Sequence, residues 1–145
     1  MKRIQGYETI YNLDGSHIFS LSPDKKIRMW DTRKWSVIKD LQENKNLKKI
    51  AVSPDEKFLV ATSNDNTLQV YDVEKGDVIL ILKGHNGGVN SAVFDSQGKR
   101  IVSSSDDGTI RIWEFPALQD LIDQTREQFK DCPLTEEDRK KYYLD

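Results

Sequence analysis

Three residues in this sequence could form a hydrolytic triad: His85, Ser103 and Asp107. A serine hydroxyl becomes a nucleophile when a histidine takes its proton and an acid orients that histidine. The chemistry would be acyl transfer. Ser103 has neither a nucleophile-elbow motif around it nor a glycine-rich oxyanion-hole motif elsewhere, so no catalytic residue is assigned. Gly84-His85-Asn86-Gly87-Gly88 is glycine-rich but lacks the Lys-Ser/Thr of a phosphate loop, and it reads as a turn. Two histidines and one cysteine cannot make a usual zinc site, so no metal and no cofactor is expected. Cys132 lies beside Pro133 without a basic cluster to activate its thiol. As the sole cysteine it forms no intrachain disulfide, which suits a reducing compartment.

The elements that must position these residues repeat along the chain. Three stretches align without a gap: Asn12 to Thr32, Ser53 to Val73 and Asp95 to Phe115. Their starts differ by 41 and 42 residues. In each, turn residues (Asp14-Gly15, Pro54-Asp55, Gln97-Gly98) precede a short apolar strand, at His17 to Leu21, Phe58 to Thr62 and Arg100 to Ser104. Two-residue hairpin loops are expected at Asp24-Lys25, Asp65-Asn66 and Asp107-Gly108. A second, alternating strand follows and ends in Trp30-Asp31, Tyr71-Asp72 or Trp113-Glu114. Val78 to Leu82 is continuously apolar and reads as a strand covered on both faces, with Val37 to Leu41 its weaker equivalent. Leading strands are expected at Leu47 to Val52, at Val89 to Phe94 and, more faintly, near Tyr7 to Tyr11. Each unit is therefore a four-stranded antiparallel meander.

Gly84-His85 followed by SSSDDGTIRIWE at residues 103–114 closely resembles the WD-repeat family. The resemblance covers residues from about 5 to 115 and is most specific in the third unit. It implies an all-β fold of about three four-stranded antiparallel WD-repeat blades, a partial β-propeller, with a short C-terminal helical tail. The blades would occupy about 5–45, 46–83 and 84–115, the last lacking its fourth strand, and the tail 116–145. It also implies that His85, Ser103, Asp107 and Trp113 form a structural tetrad and not a catalytic site. The other units carry it only in part. Ser20, Asp24 and Trp30 stand in the first unit without a Gly-His pair upstream, and His17 sits in a strand. Asp65 and Tyr71 stand in the second, with Ala61 in the serine position. Blades one and two are expected to be held more by packing and turns.

Length and charge bound the function. The 145 residues are 37% hydrophobic and 32% charged, so any core must be thin or shared. The net charge of −2 excludes a globally basic nucleic-acid binder. Residues 1–50 are nonetheless +5, with Lys25, Lys26, Arg28, Arg33, Lys34, Lys39, Lys45, Lys48 and Lys49, against −4 for 51–115 and −3 for 116–145. This reads as a solvated surface, or as a patch for an acidic partner. A charged-then-apolar leader and a long apolar run are both missing, so a cytoplasmic protein without membrane attachment is expected. Pro116 opens a helical pattern with Leu118, Leu121, Ile122, Thr125 and Phe129 on one stripe, and Thr135 with Asp138 resembles a capping box after Pro133. This tail looks like the end of WD-repeat arrays in large bacterial multidomain proteins.

The expected function is a non-catalytic scaffold for a protein or peptide partner. The loops at one end of the blades (Glu43, Asn44, Asn64, Asn66, Asn86 and Asp106) are the candidate binding surface. The alternative is a regulatory or sensor segment of a larger signalling NTPase, kinase or caspase-like protein. Closed propellers have four to eight blades, so a homodimer or association with the remainder of a propeller is expected. Tyr7, Ile10, Ile18 and Phe19 are expected to be exposed at one end, and Ile101, Val102, Ile110 and Trp113 at the other.

Overall fold

The computed structural model describes residues 3, 6–41 and 44–114. They form eleven strands in three antiparallel sheets and, among the described residues, no helix. Blade one orders β1 (Glu8–Tyr11), β2 (His17–Leu21), β3 (Ile27–Asp31) and β4 (Ser36–Asp40) side by side. Blade two does the same with β5 (Leu47–Val52), β6 (Phe58–Ser63), β7 (Leu68–Asp72) and β8 (Asp77–Leu82). Blade three has β9 (Val89–Phe94), β10 (Arg100–Ser105) and β11 (Ile110–Glu114).

The repeat persists in the register. Ile18 faces Trp30, Leu59 faces Tyr71 and Ile101 faces Trp113 across the middle ladder of each blade. It persists in the backbone too. Gly15, Glu56 and Gly98 take positive φ in the first turn of each blade, and Lys25, Asn66 and Gly108 (φ 68°, 73° and 80°) in the second. These second turns are wider than the two-residue loops expected. The main-chain N–H of Ser22, Ser63 and Ser105 donates to Lys26, Thr67 and Thr109, so three residues lie in each loop. That geometry needs one left-handed residue where a two-residue type I′ loop needs two, which is why a lysine is tolerated at position 25.

No blade has a core of its own. Side chains at alternate strand positions point to opposite faces, and each face packs on the next sheet. Phe19, Leu21, Ile27 and Met29 of blade one meet Ile50, Leu59, Ala61 and Tyr71 of blade two. Phe58, Val60, Leu68 and Val70 of blade two meet Val89, Ala92, Ile101 and Trp113 of blade three. Each fully buried side chain of this kind contributes about 1.5–3 kcal/mol.

Two expectations are corrected here. Phe19, Ile101 and Trp113 are buried between blades and are not at exposed ends, Ile18 is buried as well, and Ile10 packs against both clusters. Tyr7 and Ile110 are exposed as expected, and Tyr11 and Val37 on blade one and Val93 and Ile112 on blade three lie open beside them. In β8, Leu80 and Leu82 are buried whereas Val78, Ile79 and Ile81 are only partly covered, because this strand is the edge of its sheet. The expected tail, with Cys132 and the Leu118, Leu121 and Ile122 stripe, lies outside the described residues.

Candidate functional site

His85 stands in the loop between β8 and β9, Ser103 in β10, Asp107 in the β10–β11 turn and Trp113 in β11. Their side chains join in one chain of hydrogen bonds. The Trp113 indole N–H donates to Ser103 Oγ at 2.9 Å, Ser103 Oγ lies 2.7 Å from His85 Nε2, and His85 Nδ1 lies 3.0 Å from Asp107 Oδ2. An ionised carboxylate only accepts, so the imidazole proton belongs on Nδ1 and the serine hydroxyl donates to Nε2. Every polar atom along the chain is then used.

That closure decides what the group can do. Ser103 is 1% exposed and His85 5%. The serine oxygen already accepts from an indole, and the Trp113 ring stands edge-on to the imidazole, 6.2 Å between centroids. A nucleophile needs an approach for its electrophile, and none opens here.

Asp107 is the electrostatic centre of the turn. Its carboxyl is held well below the usual carboxylate range, first by the Thr109 hydroxyl, then by the Asn86 main-chain N–H at 2.9 Å, with the Thr109 N–H and His85 adding to it and burial opposing. A depressed folded-state pKa stabilises the fold above the unfolded value near about 4, and the contribution is lost as pH falls through the lower folded value. Asp14, Asp31 and Asp95 are lowered in the same sense, mainly by hydrogen bonds within their own turns. We therefore expect Asp107→Asn to flatten part of the acid limb of a stability–pH curve below about pH 4. Urea midpoints measured from pH 6 to 3 check this, and an unchanged acid limb would refute it.

The loop before β9 explains its glycines. A Cβ on Gly87 would sit 2.8 Å from the Asp107 main-chain nitrogen, a contact no side chain tolerates. Gly88 O accepts the Asp106 N–H at 2.9 Å, and Asn46 O accepts the Asn64 N–H at 2.9 Å, so the β8–β9 and β4–β5 loops are each tied to a neighbouring turn. Lys48 Nζ donates to Asn90 Oδ1 and Asn90 Nδ2 to Asp106 Oδ1, both at 2.7 Å, which links blades two and three at this end. Asn64, Asn66, Asn86 and Asp106 are exposed on this surface, Asn44 is half-buried with its side chain on the Asn46 N–H, and Glu43 lies outside the described residues.

The partial tetrads differ. In blade one the Trp30 N–H donates to Ser20 Oγ at 2.8 Å, while Asp24 is engaged by Arg28 in the place a histidine would take. In blade two Tyr71 is buried, which pushes its phenol up; its hydroxyl bonds Gln69 Oε1 at 3.2 Å, and Asp65 accepts the Thr67 N–H.

Sequence reasoning missed the seam between blades one and two. His17 Nδ1 lies 2.6 Å from Glu56 Oε1, and Asn12 Nδ2 donates to Glu56 Oε2 at 2.7 Å. Lys39 Nζ reaches the Val73 carbonyl at 3.1 Å and also the Glu74 carbonyl. Between these ties lies a cleft of 540 Å³ lined also by Met29, Ile38, Phe58 and Asp72. By the 41-residue repeat, His17 and Lys39 correspond to Phe58 and Leu80, both buried in the next seam. The signal available in the sequence was this pair of ionisable residues at core positions.

Two family models match the chain. Residues 76–114 match the WD domain, G-beta repeat, and residues 9–89, more than half of the chain, match the anaphase-promoting complex subunit 4 WD40 domain. The chain belongs to the WD-repeat family. This WD-repeat chain is 30% identical over 108 residues to pre-mRNA-processing factor 17 of Homo sapiens, covering 72% of the chain and 19% of that protein. It is 31% identical over 108 residues to autophagy-related protein 16 of Arabidopsis thaliana, covering 73% and 21%. It is 33% identical over 101 residues to serine-threonine kinase receptor-associated protein of Homo sapiens, covering 70% and 27%. The chain thus spans less than a third of the length of these relatives. Among the described residues, no helix is long and apolar enough to cross a membrane, and no group of three or more metal-ligating side chains occurs.

Proposed function

We infer that this WD-repeat chain is a non-catalytic scaffold that holds a protein or peptide partner, acting in the cytoplasm. The observation that carries the reading is the cross-tied polar end of blades two and three, where Lys48, Asn90 and Asp106 hold one another and the adjacent turns carry the exposed Asn64 and Asn86. Rigid elements presenting fixed polar loops are a common means of protein recognition. The relatives named for splicing, autophagy and receptor association are consistent with work in protein assemblies. Ser103, Asp107 and His85 then serve as a structural tetrad with Trp113.

The test is paired affinity capture from the native cell. The chain is compared with a variant carrying Asn64→Arg and Asn86→Arg, both exposed positions outside the Lys48–Asn90–Asp106 tie. A partner held by the chain and lost with the variant is expected. Identical recovery with both would overturn the assignment of this surface.

Nucleic acid is not the expected partner. In blade one's basic region Arg28 is shared between Asp24 and Asp40, Lys26 lies 3.8 Å from Asp40 and Lys25 stands over the Tyr7 ring. The carboxylates beside Arg28 and Lys26 weaken the pull of those two cations on phosphate, and the chain as a whole is acidic. Binding to duplex DNA weaker than micromolar is expected at about 0.15 M salt. Submicromolar binding with a steep salt slope would contradict this.

A further inference from the structure

We propose that Asn86 is a site of spontaneous covalent modification, deamidated by attack of the Gly87 main-chain nitrogen on its side chain, and that the product loosens the tetrad. Asn86-Gly87 is the only place in the sequence where an asparagine precedes a glycine. Glycine has no side chain to shield its nitrogen, and the fold admits no other residue at 87. A Cβ there would meet the Asp107 main-chain nitrogen at 2.8 Å and the Asp106 carbonyl carbon at 3.2 Å. The close approach that the tetrad turn requires is thus what leaves Asn86 open to attack. The frame around the pair is fixed: Ser105 Oγ donates to the Gly87 carbonyl and the Asn86 N–H to Asp107 Oδ2, both at 2.9 Å. The reacting groups are not. Asn86 is exposed, and among the described residues neither its side-chain amide nor the Gly87 N–H has a hydrogen-bond partner.

The other candidates are protected. Asn12 and Asn90 have their side chains engaged at both ends, and Asn44 caps the Asn46 N–H. Asn46, Asn64 and Asn66 precede Leu47, Asp65 and Thr67, whose side chains crowd the attacking nitrogen. Asp14-Gly15 and Asp107-Gly108 share the glycine, but hydrogen bonds within their turns hold both carboxyls ionised, and a carboxylate resists nucleophiles. In the reaction the Gly87 nitrogen loses its proton to solvent and bonds to Asn86 Cγ. The Cγ–Nδ2 bond breaks, and ammonia leaves with a proton from water. Water then opens the five-membered imide at either carbonyl. One opening gives aspartate, and the other gives isoaspartate, whose main chain is one methylene longer. Either product sets a new carboxylate beside Asp106 and Asp107, where like charges repel. The longer chain also strains the Asn86 N–H bond to Asp107 and, through Asp107, the bond to His85.

The full chain is incubated at mildly alkaline pH. Peptide mass spectrometry then follows each asparagine, and urea unfolding is measured on the same samples. Asn86 is expected to convert before any other asparagine, as an isoaspartate–aspartate pair, with the urea midpoint falling in step with the converted fraction. Asn86→Gln, whose attack needs a slower six-membered ring, is expected to keep its mass and its midpoint. This side chain is exposed and unbonded, so the fresh variant should match the parent in circular dichroism. An Asn86 that stays intact in the folded chain overturns the proposal, as does conversion that leaves the midpoint unchanged. An equal loss of midpoint in incubated Asn86→Gln would trace the damage to another residue and overturn it too.

Discussion

Trp113→Ala is expected to lower folding stability by about 3–5 kcal/mol, the largest effect of any single substitution considered for this chain. The indole is 2% exposed at the seam of blades two and three, paired across the sheet with Ile101 and packed within the cluster that holds Val60 and Val70. Its removal opens a cavity that two rigid sheets cannot collapse into, and it also takes away the donor to Ser103. Trp113→Phe separates the two losses, keeping most of the apolar volume and deleting the N–H, for an expected cost of about 1–2 kcal/mol. Trp30 makes the same bond to serine but lies half-exposed on the outer face of blade one, so Trp30→Ala should cost clearly less than Trp113→Ala. Urea unfolding followed by circular dichroism gives all three values. Equal losses for Trp30→Ala and Trp113→Ala would contradict the assignment of Trp113 to a seam.

Ser103→Ala should cost about 1–3 kcal/mol and abolish no activity. The hydroxyl is the middle link of the tetrad, so its loss strands the buried Trp113 N–H and His85 Nε2 together. Leaving two buried polar atoms unpaired is worse than losing one hydrogen bond. Assays with activated esters, peptides and nucleotides should give no turnover for either form. Turnover that disappears in Ser103→Ala would reverse the structural reading. The same variant thus reports on stability and on chemistry in one comparison.

The sequence by itself determined the local units. Turn residues recurring at offsets of 41 and 42 placed the middle strand pair of each blade to within a residue, because an alternating apolar run between Asp- and Gly-rich turns has few other solutions. His85, Ser103 and Asp107 stood out by residue type alone, and the resemblance to the WD-repeat family is what joined Trp113 to them as one group. The β8 strand showed where this reading stops. An all-apolar run specifies burial but not which sheet edge lies open.

Only the tertiary structure decided the phase of each blade. Period-two alternation sorts side chains into two sets and leaves open which set meets the neighbour. That choice depends on how one sheet stacks on the next, so Phe19, Ile101 and Trp113 turned inward and Val93 and Ile112 outward. The ties between blades were hidden for a related reason. His17 with Glu56, Lys39 with Val73 and Lys48 with Asn90 join residues about a repeat apart, and no local pattern records which of many charged residues will meet across a seam.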